Sequence, residues 1–220
     1  MRRFTNFVYA LSVVGLLSVG AQLNARADTF VFDFEDQTAT ALPRNGALNV
    51  LTMTSSLFTV TITRPGAPFD IVENVGLQAK PTEFGQRSLD PFFNVSNTPF
   101  IADFSQAVTS VSLDMGDYAF DTDTLILEAY SELGGGGTLL ASTTFSLVGV
   151  SQDFSFATLS VFASGIRSIR FIGGSAAFPN SVFYDNLTVS TSAVPEPATL
   201  LLLGTALTGL AASIKTRRKQ

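Results

Sequence analysis

Apolar and polar residues alternate with a period of two through the middle of the chain. The clearest examples are the segments 58–63 (FTVTIT), 110–115 (SVSLDM) and 124–130 (TLILEAY). Strict alternation of this kind predicts β-strands that bury one face and expose the other. The residues expected on the buried faces are Phe58, Val60, Ile62, Val111, Leu113, Met115, Leu125, Leu127 and Ala129.

Other stretches rich in β-branched and aromatic residues predict further strands at 29–34, 71–75, 100–104, 138–145, 154–161, 166–172 and 182–189. Segment 131–142 (SELGGGGTLLAS) is predicted to form a hairpin whose turn contains four glycines. No long stretch of this region shows the 3.6-residue period of an amphipathic helix. The pattern therefore predicts an all-β domain over residues 28–190, an antiparallel β-sandwich or jelly roll.

The N-terminal residues 1–27 have a different pattern. Arg2 and Arg3 precede an apolar stretch, and Ala25-Arg26-Ala27 offers small residues at a cleavage position. This order is typical of a secretory signal peptide. A membrane-spanning helix is the alternative, but the apolar run is short for one. We therefore predict cleavage after Ala27 and export across the inner membrane.

The C-terminal residues again change in pattern. After a linker at 191–194 and a Pro-Glu-Pro sequence, residues 198–214 are 17 residues without a charge, followed by a basic tail at 215–220. As a helix this segment is roughly 25 Å long, enough to span a membrane if the basic residues reach the interface. The positive-inside rule places the tail in the cytoplasm. We predict a C-terminal transmembrane helix.

Pro195, Glu196 and Pro197, the apolar span and the terminal KTRRKQ together resemble the PEP-CTERM sorting signal of exopolysaccharide-producing Gram-negative bacteria. An ordinary C-terminal anchor is the alternative. The resemblance implies that an exosortase recognises the Pro-Glu-Pro sequence and cleaves near it, after the general secretion machinery has exported the chain. The protein would be anchored transiently in the inner membrane and then reach the cell surface or extracellular matrix.

Charge and composition restrict the chemistry of the region between these signals. Residues 28–194 hold six basic and 17 acidic residues, a net charge of −11, which disfavours nucleic acid as a partner. The sequence has no histidine and no cysteine, which excludes Ser-His-Asp triads and the usual zinc ligands. The remaining candidates are oxygen ligands, a few arginines and aromatic rings.

Two short sequences resemble the first and last strands of calcium-stabilised jelly-roll domains of the carbohydrate-binding-module and MAM-like type. They are FDFE, ending at Glu35, and YDN, containing Asp185. The resemblance implies that Glu35 and Asp185 ligate a structural calcium ion, with backbone carbonyls and water completing the shell. In the alternative, Asp185 only accepts hydrogen bonds from a turn. Alternation would place Asp185 on one face with Phe183, Leu187 and Val189.

Two further groups of residues are candidates for chemistry. The segment 114–123 (DMGDYAFDTD) contains Asp114, Asp117, Asp121 and Asp123, for which a solvated acidic loop is favoured over a calcium site or a glycosidase carboxylate pair. Tyr130 and Tyr184 are predicted on the outer faces of their strands. There cross-strand contacts are favoured, and stacking on a glycan is the alternative.

These patterns predict a secreted, surface-sorted β-sandwich protein without catalytic residues, a component of the envelope or of the exopolysaccharide matrix. One alternative is a carbohydrate-binding module with a defined glycan site. A second is a carboxylate-dependent glycosidase or lyase, because two carboxylates suffice for that reaction.

Overall fold

The computed structural model describes residues 27–39, 46–73, 82–91, 96–118, 121–149 and 154–192. The compact unit that contains the strands is Asp28–Ser192. The predicted signal peptide (through residue 26), the helix at 198–214 and Pro195–Pro197 lie outside the described residues, so their structure stays a prediction. Within the described ranges, no helix has the length and hydropathy needed to cross a membrane.

Ten strands make up the described part of the chain, and every strand pair is antiparallel. They are β1 (Thr29–Phe32), β2 (Val50–Ser55), β3 (Phe58–Thr63), β4 (Asp70–Glu73), β5 (Arg87–Asp90), β6 (Phe100–Asp117), β7 (Thr122–Tyr130), β8 (Leu139–Val148), β9 (Ser155–Gly174) and β10 (Phe183–Thr191). Short 3-10 turns occur at Thr82–Phe84 and Leu133–Gly135. The predicted all-β antiparallel sandwich is confirmed.

The long strands β6 and β9 take part in both layers of the sandwich. The first part of β6 pairs with β3, and the second part pairs with β10. One layer therefore has the order β2-β3-β6-β9-β7-β8, and the other contains β4, β5, β1 and β10 beside β6 and β9. Register shifts between Asp103 and Ser110 mark where β6 bends, because β-bulges kink a strand.

Two pairs of predicted strands are each part of a single long strand in the structure. The segments 100–104 and 110–115 are one continuous strand, and so are most of 154–161 and all of 166–172. Strands β2 and β5 were not predicted. The four residues of β5 (RSLD) carry too little alternation to be recognised in sequence. The predicted hairpin at 131–142 is confirmed, since β7 pairs with β8 on either side of the glycines.

The core lies between the two layers, and all nine residues predicted from alternation are buried in it. Aromatic rings join the layers. Phe100 of β6 stacks on Phe171 of β9 with ring centroids 5.2 Å apart, and Tyr184 of β10 packs edge-on against both, at 5.3 and 4.9 Å. Full burial of one such ring stabilises the fold by about 1.5–3 kcal/mol.

A β-bulge in β10 reverses part of the predicted strand pattern. Asn186 has a left-handed backbone (φ 49°), and the register to β6 shifts between Asp185 and Thr188. Because the bulge adds one residue, Tyr184 and Leu187 both face the core and are fully buried. The predicted shared face of residues 183, 185, 187 and 189 is therefore wrong, and Asp185 points away from the core.

Candidate functional site

Asp185 lies on the outer side of its layer, but it is covered so completely that its exposed fraction is 0%. Its Oδ1 accepts a hydrogen bond from the backbone N–H of Asn186 (2.7 Å). No donor among the described residues reaches its Oδ2. The pKa of Asp185 is raised to about 9. Burial is the largest cause, the hydrogen bond from the Asn186 N–H acts in the opposite direction, and repulsion from Glu35, Asp33 and Asp114 adds to the rise.

Glu35 reaches the same place from the turn that follows β1. Its Oε1 accepts hydrogen bonds from the backbone N–H groups of Gln86 (2.6 Å) and Arg87 (3.1 Å). The Arg87 guanidinium donates in turn to the backbone carbonyls of Glu35 and Gln37, at 2.5 Å each. Gln86 and Arg87 therefore hold both the Glu35 carboxylate and the backbone of the turn that carries it.

Gly85 leaves the space into which both carboxylates point. It has a left-handed backbone (φ +62°), and a Cβ at this position would lie 2.2 Å from Glu35 Oε1 and 3.5 Å from Asp185 Oδ2. The structure thus brings Glu35 and Asp185 together, although they belong to opposite ends of the domain. We call Glu35, Asp185 and Asp114 the outer carboxylate site.

Asp114 completes this site from β6. Thr158 Oγ1 donates to its Oδ1 (2.5 Å), and Asn186 Nδ2 donates to its Oδ2 (2.8 Å). Asn186 Nδ2 also donates to the carbonyl of Glu83 (2.5 Å). Asp114 is 8% exposed, so the prediction that it belongs to a solvated loop is wrong. Alternation places it opposite the core face, where Thr158 and Asn186 hydrogen-bond to it.

The chemistry of these donors fits a hard divalent cation. A fully buried carboxylate oxygen without a partner and a second carboxylate facing the same gap are groups that bind Ca²⁺. An unpaired buried carboxylate is costly in free energy, and a bound cation removes that cost. Glu35 and Asp185 would hold the ion, and its charge would neutralise the repulsion among the carboxylates.

An aromatic cluster that was not predicted from the sequence lies on the outer face of this layer. Phe84 packs edge-on against Phe154 and Phe156, at 4.8 and 5.6 Å, and is fully buried. Tyr118 contacts Phe154 and Phe183 at 4.8 and 5.8 Å. Because of these rings, the outer face of the layer is apolar here, as the core face is.

Asp117, Asp121 and Asp123 lie together away from the core's centre, where β6 leads into β7. One carboxylate oxygen of each is within 4.8 Å of the others. Asp121 is exposed, as predicted for a solvated loop, but Asp123 is only 2% exposed. The prediction is wrong for Asp123 because strand β7 begins at Thr122 and places this residue on the core face with Leu125.

The two tyrosines predicted to contact a glycan differ in position. Tyr184 is fully buried, so its predicted outward orientation, and with it a contact with a glycan, is wrong. Its hydroxyl donates to Asn180 Oδ1 (2.6 Å) and accepts from the Gly173 N–H (2.9 Å), which makes it a core residue. Tyr130 is partly exposed, as predicted for an outer face.

Tyr130 is surrounded by polar groups from its own strand and from β9. Its hydroxyl donates to Glu128 Oε2 (2.7 Å), and the Arg170 guanidinium carbon lies 4.9 Å from its ring centroid. Glu128 and Arg170 are cross-strand partners. Glu128 and Arg170 were not predicted from the sequence, although the alternation in β7 puts Glu128 on the same face as Tyr130. Arg170 joins this group only because β9 pairs with β7, which cannot be deduced from the local sequence.

Residues 193–219 match the family model described as the PEP-CTERM protein-sorting motif. The chain carries a PEP-CTERM sorting signal. This motif implies processing by an exosortase and indicates export and sorting to the cell surface. The match agrees with the sequence resemblance that rests on Pro195, Glu196 and Pro197.

Several solved structures are similar in fold to the described domain, and three of them are the following. The K2 cleaved adhesin domain of Lys-gingipain is 13% identical (TM-score 0.48; 73% of this chain, 97% of that one). The K1 domain of Lys-gingipain from Porphyromonas gingivalis W83 is 9% identical (0.46; 75% and 99%). The CBM22-2 xylan-binding domain of Xyn10C from Paenibacillus barcinonensis is 13% identical (0.39; 74% and 99%).

Carbohydrate-binding modules are thus among the similar structures, as the sequence resemblance predicts. At these identities and TM-scores the likeness is one of fold and not of function. No curated protein sequence matches the chain significantly.

Proposed function

We propose that this protein is a secreted, non-catalytic β-sandwich component of the cell envelope or exopolysaccharide matrix. The observation that carries the proposal is the sorting signal at 193–219. Residues 1–27 direct export, and the helix at 198–214 holds the exported chain in the inner membrane. An exosortase then removes this C-terminal helix. The mature product is then the acidic sandwich domain on the cell surface or in the matrix.

A structural calcium ion at Glu35 and Asp185 is part of this proposal. The buried, unpartnered Asp185 Oδ2 and the Glu35 carboxylate facing the same gap support it. Calcium binds the folded domain and not the unfolded chain, so it stabilises the domain in the extracellular space. The ion has no part in catalysis, because it serves only to neutralise buried charge.

The sorting proposal is tested by following the C-terminus of the full chain in an exosortase-producing host. We expect the wild-type protein to lose its tail and to become accessible to protease added outside the cell. The variant Glu196→Ala combined with Pro195→Ala should keep its tail and stay in the membrane fraction. Thr199→Ser, just outside the Pro-Glu-Pro sequence, is the matched control. Tail removal that is unaffected by the double substitution would overturn the proposal.

Binding of an extracellular polysaccharide is a second candidate function, and the surroundings of Tyr130 favour it. A partly exposed ring flanked by a carboxylate and a guanidinium offers stacking together with hydroxyl recognition. Affinity electrophoresis of the full chain in gels containing the host polysaccharide tests this function. Retardation that is lost in Tyr130→Ala but largely retained in Tyr130→Phe would support it. Unretarded wild-type protein would contradict it.

A carboxylate-dependent glycosidase or lyase is the remaining alternative. The carboxyl groups of glycosidases are about 5–5.5 Å apart in retaining enzymes and about 6.5–9.5 Å apart in inverting ones. Asp117, Asp121 and Asp123 have carboxylate oxygens within 4.8 Å of one another, near enough to share a cation. We prefer the non-catalytic proposal, because it rests on the sorting signal and requires no carboxylate pair. Polysaccharide cleavage that is abolished by Asp117→Asn would reverse that preference.

A further inference from the structure

We propose that Asp117, Asp121 and Asp123 form a second divalent-cation site, suited to calcium, at the rim of the sandwich core. This site is separate from Glu35 and Asp185 and goes beyond the function proposed above. It assigns a role to three carboxylates that neither the sorting signal nor the outer carboxylate site uses.

The strands place two of these carboxylates on the side that faces the core. Asp117 ends β6, two residues after the buried Met115, and Asp123 lies near the start of β7, two residues before the buried Leu125. Alternation therefore turns both side chains inward. Asp121 approaches from the exposed side, and one oxygen of each carboxylate lies within 4.8 Å of the others.

The state of Asp123 is the independent observation that points to a ligand. This side chain is only 2% exposed, and no donor among the described residues reaches its Oδ1. A carboxylate oxygen buried without a partner is unfavourable unless a cation or a proton compensates it. The pKa of Asp123 is raised to about 7, mainly by burial and also by repulsion from Asp117 and Asp121. A divalent cation between the three carboxylates would compensate the buried Asp123 side chain and remove this repulsion.

The ligand class follows from the donor atoms and from exposure. All three donors are carboxylate oxygens, and oxygen ligands suit Ca²⁺ and Mg²⁺ and not soft transition metals. Calcium is the better match, because it accepts irregular geometry and six to eight oxygens at about 2.3–2.6 Å, whereas Mg²⁺ demands a near-ideal octahedron. The exposed Asp121 leaves one side open for water ligands and for entry of the ion.

The test is to count calcium ions bound to the full chain in mild detergent, by native mass spectrometry and by calorimetric titration. We expect the wild-type protein to bind two ions. Asp123→Asn should bind one ion, and Asp121→Asn, an exposed position where folding is not at issue, should weaken one of the two sites about tenfold, because affinity depends on ligand charge. Asp28→Asn changes the net charge equally on an exposed residue and should leave both sites intact.

Asp185→Asn separates this inference from the calcium site proposed at Glu35 and Asp185. Loss of one ion in Asp123→Asn and of the other in Asp185→Asn supports both sites. A single wild-type ion that is lost only in Asp185→Asn overturns the second site and leaves the first. A single wild-type ion that is lost only in Asp123→Asn supports the site at Asp117, Asp121 and Asp123 and overturns the one at Glu35 and Asp185. Unchanged binding in both Asp123→Asn and Asp121→Asn, or no binding by the wild type, also overturns the inference.

Discussion

Asp185 of β10 and Asp114 of β6 are directly opposite each other in the strand register, and both are buried. Like charges in this arrangement destabilise a sheet. Asn186 lies between them: its backbone N–H donates to Asp185, and its side-chain amide donates to Asp114. The β-bulge at Asn186 makes both bonds possible. One acidic oxygen, Asp185 Oδ2, is still left unpartnered among the described residues, and the calcium proposal depends on it.

The stability of the metal-free protein should therefore fall as pH rises. The folded-state pKa of Asp185, about 9, is above its ordinary value of 3.8, so the folded state holds a proton that the unfolded chain releases. This contribution is fully present below about pH 4 and is lost progressively up to about pH 9. Asp123, with a pKa raised to about 7, acts in the same direction. Thermal unfolding of the full chain in chelator, measured from about pH 5 to pH 9, checks this.

Asp185→Asn is the control for this pH dependence, because an amide does not titrate. We expect its melting temperature in chelator to vary much less with pH than that of the wild type. Acid denaturation of other groups lies below this range. A wild-type melting temperature that is constant or rises between about pH 5 and pH 9 in chelator would contradict the burial of an uncompensated Asp185.

Calcium should raise the melting temperature through Glu35 and Asp185. A ligand present at 100 times its dissociation constant stabilises the folded state by about 2.7 kcal/mol. Glu35→Gln keeps an oxygen for the N–H groups of Gln86 and Arg87 but removes the charge, so it should lose the part of the shift that this site supplies and keep the part supplied by Asp117, Asp121 and Asp123. Asp36→Asn, an exposed neighbour, should keep it. An equal calcium shift in Glu35→Gln would argue against Glu35 as a ligand.

Gly85→Ala should damage the outer carboxylate site more than its backbone strain alone explains. A left-handed backbone costs a non-glycine residue about 1–2 kcal/mol. Here the new Cβ would also lie 2.2 Å from Glu35 Oε1 and force that carboxylate to move. Gly66→Ala is the matched control, since Gly66 is also left-handed (φ +72°) but has no atom within 4 Å of the Cβ position.

Unfolding free energies and calcium affinities of these two variants separate the effects. Both should lose stability from strain, but only Gly85→Ala should also bind calcium more weakly. Equal losses of stability in the two variants, with unchanged calcium affinity in both, would mean that the gap at Gly85 does not position the carboxylates.

Tyr184→Phe should destabilise the domain without changing any binding to polysaccharide. The substitution removes the hydroxyl that donates to Asn180 and accepts from the Gly173 N–H, which leaves two buried polar groups without their partner. Such a loss costs about 1–3 kcal/mol. Denaturant unfolding of the full chain measures it, and affinity electrophoresis tests binding. Weaker retardation in folded Tyr184→Phe would contradict the buried position of this residue.

The alternation of apolar and polar residues correctly predicted the buried side chains in regular strands that bury one face. The nine core residues predicted in segments 58–63, 110–115 and 124–130 are all buried, because period-two alternation is a direct property of the extended backbone. The same reasoning failed at β10. A single left-handed residue, Asn186, changes which side chains face the core, and nothing in YDN distinguishes that bulge from a regular strand.

The candidate site was likewise predicted only in part from the sequence. Resemblance singled out Glu35 and Asp185 but could not show that Gly85, Asp114 and Asn186 stand between and beside them. Those neighbours come from strands and turns far apart in the chain. Asp123 was misjudged for a related reason: its residue type is typical of a loop, whereas the start of β7 places it on the core face.

The sequence by itself determined the all-β class, the inward faces of the regular strands, the acidic charge of the domain and the sorting signal. Each of these is written in adjacent residues, as a period, a composition or a contiguous motif. Tertiary structure alone decided which carboxylates lie close together, which of them are buried from solvent and which tyrosine is exposed. Those outcomes depend on strand pairing, on a bulge and on turns packed over a sheet. Only when these contacts form are the aspartates buried without a partner, and only then do they become candidate metal ligands.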